Sequence, residues 1–360
     1  MARPTLAAIE LLHRRKTYPY GADNVSRLVE AGVGGHVLKE LARLSARDAA
    51  STRTGKAAAQ QGLDLEALFL RDLQQMDSDK LQLVVELQED HRRQGARALI
   101  DELAIAAPGR DLGEIDFQFV WMGTPNAVAV HVKDDDSYAI GLDPSLHDLC
   151  TLLFEAAGVA HAVDDFRVFG SIAAQAVGAL YVHRPIEGFE ENALLLREHT
   201  PPMVGQLADL LAPEAARFLL AHEVGHICLD HFARGHPSLL ALHPDAPSRA
   251  VSAFDHELEF EADAWAAEAT LQVAGDDVQR QTLAVVTPLL FFAMMAFVDR
   301  LHTTTNPLGQ TLRASHPSAH ERLRRRWRFA SEQTHIPPND AMKLMVEICR
   351  FVEERAPAPD

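Results

Sequence analysis

The hydrophobic and polar positions divide the chain into a helical first third, a short strand-rich stretch and a second, longer helical part. Residues 1–112 read as mostly helical. Amphipathic stretches near 24–31 and 36–46 are separated by a glycine-rich break at 32–35, and a longer helix runs from Ser78 to about residue 106. Its apolar positions are Leu81, Val84, Val85, Ala96, Leu99 and Leu103, and Pro108-Gly109 ends it. Strands follow at 117–121, 127–132 and 138–142, where β-branched and apolar residues alternate or cluster. The last two are joined by a turn at Asp134-Asp135-Asp136-Ser137. Helical patterning resumes at Pro144 and again over 172–182, and Thr200-Pro201-Pro202 interrupts it. A further helix is expected to start at Pro213-Glu214 and run to Phe232, since proline suits a first turn and an acidic side chain suits the positive helix end. The apolar run 283–298 spans about 16 residues and holds Pro288. That is short of the roughly 20 a bilayer span needs, so no membrane span is expected, only a buried helix behind the site described next. A last amphipathic helix, capped by Asn339, presents Met342, Met345, Ile348, Phe351 and Val352 to the core, and the tail after Ala356 frays.

The helix expected after Pro213 carries His222-Glu223-Val224-Gly225-His226, an H-E-x-x-H pattern. On a helix the two histidines lie one turn apart on one face and can hold one zinc ion, with Glu223 beside them to handle protons. A catalytic zinc takes three protein ligands and leaves one position for water, so a third ligand is needed. Glu259 leads the candidates, with Asp263 four residues on and therefore on the same face, placed to accept the free N–H of a metal-bound histidine. Glu261 points about 200° away from Glu259 by helical periodicity and ranks lower. His231 and His256 also compete. The metzincin pattern is excluded, because Leu229 and Phe232 stand where it needs Gly and His. Gly225 inside a helix costs about 1 kcal/mol against Ala and gains nothing structurally unless something approaches it closely.

Composition narrows the function classes. At 360 residues, 47% hydrophobic and 24% charged, the chain is an ordinary globular protein of one large or two modest domains. A formal net charge of −17 argues against nucleic-acid binding through phosphates. Cys150, Cys228 and Cys349 form no C-x-x-C pair and read as buried apolar residues. In the basic cluster Arg322, Arg324, Arg325, Arg326 and Arg328 the run reads as a solvated helical face pairing with carboxylates, with Arg322 the exception. Charges enter the N-terminus early, at Glu10 and His13-Arg14-Arg15-Lys16, which speaks against a secretory signal and for a cytoplasmic protein.

A third segment, Ser315-His316-Pro317-Ser318-Ala319-His320-Glu321-Arg322-Leu323, resembles the S/T-H-P-x-x-x-x-R-I/L element of zinc peptidases of the HtpX and CAAX-prenyl-protease type. Those proteins also carry H-E-x-x-H-x-x-x-x-H, matched through His231, and E-x-x-A-D, matched from Glu259 to Asp263. Pro125-Asn126-Ala127-Val128-Ala129 resembles the N-A-x-A strand beside their active-site cleft. The short spacing between His226 and Glu259 and the A-D-A-W-A-A-E run are similar to ImmA/IrrE-type and phage-exclusion Lit-type peptidases, which share the same ligand set.

The resemblance implies an α+β, predominantly helical fold with a zincin-like core. The expected domains are a helical region at 1–112, a peptidase domain at 113–335 and a C-terminal helix and tail at 336–360. It implies one Zn2+ per chain on His222, His226 and Glu259, with Glu223 as general base. His316 would be a donor to the oxyanion, and Asp263, His231 and Arg322 would stand behind the ligands. It further implies that 127–132 is an edge strand along the metal cleft that receives an extended chain. The activity expected is hydrolysis of protein or peptide substrates. The alternative is a regulatory, immunity or phage-exclusion protein whose zincin fold recognises or cleaves one partner.

Overall fold

The computed structural model describes residues 64–76, 80, 94–119, 127–132, 137–142, 145–181, 200–234, 253–305, 317–333, 336 and 340–355. The expected elements at 24–31 and 36–46, the 134–136 turn, His316 and the Asn339 cap lie outside the described residues. The chain divides into two compact units, one holding 13–98 and 119–121, the other 1–12, 99–118 and 122–360. In the first unit the described residues include helix α1, Leu65–Gln74, whose N-cap Asp64 accepts a hydrogen bond from the Ala67 N–H at 3.0 Å. No separate helix is expected at this position from the hydrophobic pattern, which marks 1–112 only as mostly helical.

The second unit is helical around a small sheet, an α+β fold dominated by helix. Residues 99–103 are helical, a 3-10 turn at Ala104–Ala106 follows, and Gly109 takes a positive φ at the expected break. Strands β1 (Ile115–Phe119), β2 (Ala127–Val132) and β3 (Ser137–Leu142) are ordered β1-β3-β2. β2 and β3 are antiparallel, with Ala129 opposite Ile140. β2 is therefore an edge of the sheet among the described residues. Val130, Ala139 and Ile140 are fully buried.

The helices are α2 (Ser145–Val163), α3 (Phe166–Tyr181), α4 (Pro202–Cys228), α5 (Ala253–Ala274), α6 (Val278–Thr305), α7 (Ala319–Glu332) and α8 (Asp340–Arg355). α4 packs against α2, α5 and β2, and α6 packs against α7, α8 and α3. Two glycines allow the closest approaches. A Cβ on Gly158 of α2 would fall 2.6 Å from the Val204 Cγ1 of α4. One on Gly225 of α4 would fall 3.2 Å from the Trp265 ring and 3.3 Å from the Ala262 carbonyl oxygen of α5. The glycine that the H-E-x-x-H helix tolerates thus seats α5 directly against it.

Three expectations need correction. The helix carrying the histidines begins at Pro202 and continues through Pro213, which lies inside it. Proline lacks the N–H that would bond four residues back, yet Ala208, Leu211, Ala212 and Ala215 are all buried around the site, so packing holds the helix through the missing bond. The apolar helix is also longer than the 283–298 run. α6 has 28 residues, passes through Pro288, and contains a 25-residue stretch apolar and long enough to cross a bilayer by length and composition. In this fold 83% of its most apolar window is buried, as a core helix requires. Cys228 is half-buried, whereas Cys150 and Cys349 are buried as expected; none is disulfide-bonded.

The arginine cluster is less solvated than its charge suggests. α7 starts with a reciprocal cap between Ser318 and Glu321. From there Arg322, Arg325 and Arg326 all reach α5: Arg322 to Asp263, Arg325 to Glu257 and over the Phe260 ring, and Arg326 to the Asp263 carbonyl oxygen. Arg324, Arg325 and Arg328 are exposed, Arg325 in a pair with the exposed Glu257, so only Arg322 and Arg326 are withdrawn from the solvated face.

Candidate metal centre

α4 and α5 cross so that His222, His226 and Glu259 face one another in a buried cluster. One ligand atom from each lies within 4.8 Å of the other two. The two Nε2 atoms are 3.1 Å apart, and the Glu259 oxygens lie 3.4 Å from His222 Nε2 and 3.5 Å from His226 Nε2. Glu261 is not part of this convergence, and neither is His256.

The surroundings determine which ring nitrogen of each histidine faces the cluster. Asp263 holds His222 Nδ1 at 2.9 Å and is itself gripped by both Nε and a terminal nitrogen of Arg322. An arginine only donates and its carboxylate partner only accepts, so His222 Nδ1 carries a proton and Nε2 is the atom left for the cluster. Burial opposes ionisation of Asp263, but the Arg322 charge and hydrogen bonds, with those of His222, hold its carboxyl far below the usual carboxylate range. Asp263 thus meets the His222 N–H from the face of α5 that it shares with Glu259, four residues back.

His226 is oriented differently. α4 ends in a Schellman turn: Asp230 adopts φ +54°, the Asp230 N–H bonds the Ile227 carbonyl, and the His231 N–H bonds the His226 carbonyl. That turn folds His231 back until its Nδ1 stands 2.8 Å from His226 Nδ1. His231 is wholly buried and stands behind His226, not among the three converging atoms.

Glu223, one residue past His222, accepts a hydrogen bond from the Ala129 N–H of β2 at 2.6 Å. Ala129 therefore turns its N–H away from β3, toward the open side of the edge strand. The carboxylate beside the cluster and the sheet edge are joined by one bond, which sets 127–132 beside the cluster as the N-A-x-A resemblance implies, although the bond itself has no signature in the sequence.

The donor set suits a divalent cation. Two imidazole nitrogens 3.1 Å apart beside a buried carboxylate are close enough to share a proton, and the same three side chains could close on a cation instead. Two imidazoles and one carboxylate are a ligand set that zinc accepts. Burial works against the charged form of His222, but its bonds to Asp263 and Glu259 more than offset this and push its pKa up to about 10. A cation binding at Nε2 must displace that proton, so metal affinity is expected to rise with pH. The folded pKa lies above the unfolded value of about 6.5. The protonated histidine therefore stabilises the metal-free chain fully below about pH 6.5, and that contribution is lost as pH rises toward 10. Thermal melts of chelator-treated protein should show the unfolding midpoint falling between pH 7 and 10, and metal-loaded protein should fall less. Equal slopes for the two forms would contradict the assignment.

Residues 197–341 match the family model described as Peptidase U49, which supports a peptidase. The matched stretch takes in α4, α5, α6 and α7, and with them every side chain of the cluster. No curated protein and no solved structure matches the chain.

Proposed function

We propose that the protein is a zinc-dependent endopeptidase. The observation that carries this reading is the convergence of His222 Nε2, His226 Nε2 and the Glu259 carboxylate next to Glu223, whose own carboxylate is tied to an edge strand. The same three ligands are those implied by the HtpX-, ImmA/IrrE- and Lit-type resemblance, and the Peptidase U49 match supports a protein or peptide substrate.

A zinc ion held there would acidify a water and polarise the scissile carbonyl. The chain's own groups do the rest. Asp263 and His231 fix the rings that hold the ion. Glu223 takes the water's proton on its carboxylate and returns it to the leaving amine. β2 offers its open edge to an extended peptide, whose main-chain bonds align the scissile bond. His316 is the proposed donor to the oxyanion, from the family resemblance alone.

The test combines metal analysis with a broad peptide-cleavage screen on purified protein, on protein stripped by chelator, and on stripped protein given back zinc. One zinc per chain, cleavage lost on stripping and cleavage restored by zinc are expected. Glu259→Ala should weaken zinc binding by more than about 100-fold, beyond the 10–100-fold typical of residues that only support a ligand. Cleavage that persists in stripped, metal-free protein would remove the zinc mechanism.

A further inference from the structure

We propose that Glu261 is a positioning residue for the metal centre, acting through His231 on the metal-facing nitrogen of His226; this rests on the reading of the cluster as a metal site. By helical periodicity Glu261 points away from Glu259 on α5. The structure shows where it points. Its Oε2 stands 3.2 Å from His231 Nε2, and Arg234 grips it through both terminal nitrogens, one of them at 3.0 Å.

The directions at the surface end of this chain are fixed by chemistry, and the direction at His226 follows from them for a neutral His231. Arg234 can only donate, so Glu261 is the acceptor at its end. A carboxylate so held can only accept from His231, so His231 Nε2 carries the proton. Neutral His231 then presents Nδ1 as a lone pair, and His226 must donate to it from its own Nδ1 across 2.8 Å. The remaining nitrogen of His226, Nε2, is thereby left unprotonated toward His222 and Glu259. Remove the carboxylate and His231 can take either tautomer. Half of those arrangements place the proton of His226 on the nitrogen that must bind metal.

The two histidines of the centre are thus set by two parallel routes of the same kind. Arg322 and Asp263 set His222 directly. Arg234 and Glu261 set His226 through one intervening imidazole. The first route is buried. The second begins at the surface: the Glu261 side chain is 40% exposed and Arg234 is exposed, while His231 between them and the metal centre is sealed. A surface ion pair therefore governs a buried ligand.

The test uses the full-length chain, with zinc affinity measured by competition against a chromophoric chelator, and histidine tautomers read from long-range nitrogen–proton NMR correlations on metal-free protein. Wild type should show His226 protonated at Nδ1 and His231 at Nε2. Glu261→Ala should weaken zinc binding by about 10–100-fold, the range for lost support behind a ligand, and should mix the His226 tautomers. Glu261→Gln keeps the size and can still accept from His231 through its amide oxygen, so it should restore much of the affinity and the wild-type tautomer. If Glu261→Ala fails to fold, His231→Phe, which fills the buried volume without either nitrogen, serves the same purpose and should show the same loss. Wild-type zinc affinity in a folded Glu261→Ala or His231→Phe variant, or an unchanged His226 tautomer, would overturn the relay. Failure of wild type itself to bind zinc would instead sink the metal reading on which the relay stands.

Discussion

Peptide hydrolysis by Glu223→Gln is expected to fall by at least about 100-fold, the lower end for loss of a general base, while zinc content and unfolding midpoint stay near wild type. The substitution removes charge and basicity but not shape. The amide oxygen of Gln can still accept from the Ala129 N–H, so the bond that ties this side chain to β2 survives. None of the three converging ligand atoms belongs to Glu223, so the metal should stay. The measurement is turnover on the best peptide from the screen, beside metal analysis and a denaturant melt on the same preparation. Unchanged turnover would show that Glu223 is not the base. A large loss of zinc would show that the carboxylate has a second role at the metal.

The second large effect concerns stability. Arg322→Ala should destabilise the fold by about 3–5 kcal/mol, the usual cost of leaving a buried charge without its partner. Asp263 is 1% exposed and relies on both donors of Arg322, whose guanidinium also lies over the Phe292 ring at 4.4 Å. Arg322→Lys should recover only part of this, because an ammonium cannot make the paired bonds of the guanidinium. Adding Asp263→Asn to Arg322→Ala removes the stranded charge, so the double variant should be less destabilised than the sum of the two single changes. Chelator-treated protein is the right sample, so that metal binding does not enter the comparison. Strict additivity in denaturant titration would mean that the pair is not coupled as the geometry requires.

The parts of the centre that follow helical periodicity were legible in the sequence. His222 and His226 share a face because they are four apart, and Glu259 and Asp263 do so for the same reason, which also separates Glu261 from the three converging side chains. The strands at 127–132 and 138–142 followed from alternation, and the edge position of β2 agrees with the order seen. What depended on non-helical geometry was hidden. Glu261 reaches His226 because a Schellman turn at Asp230 folds His231 back, and no residue spacing encodes that turn when Asp replaces the usual glycine. Pro213 reads locally as a helix start, and only the burial of its neighbours carries the helix through it. Arg322 was marked by the family resemblance, whereas the inward Arg326 looks like part of a solvated face until α5 is set beside it.

The buried helix α6 has a consequence for how the chain must be made. Its 25-residue apolar stretch would satisfy a bilayer as well as a protein core, and part of its cover comes from α7 and α8, which are synthesised after it. From the end of α6 at Thr305 to the end of α8 at Arg355 there are 50 residues. At about 5–20 residues per second, a ribosome needs roughly 3–10 s to supply them. During that interval a segment with the hydropathy of a membrane anchor is only partly sheathed by α3, α4 and α5. The nascent chain therefore depends on its earlier helices to shield α6 from insertion machinery and from other nascent chains. A truncation that ends after α6 should partition into membranes or aggregates, while the complete chain folds.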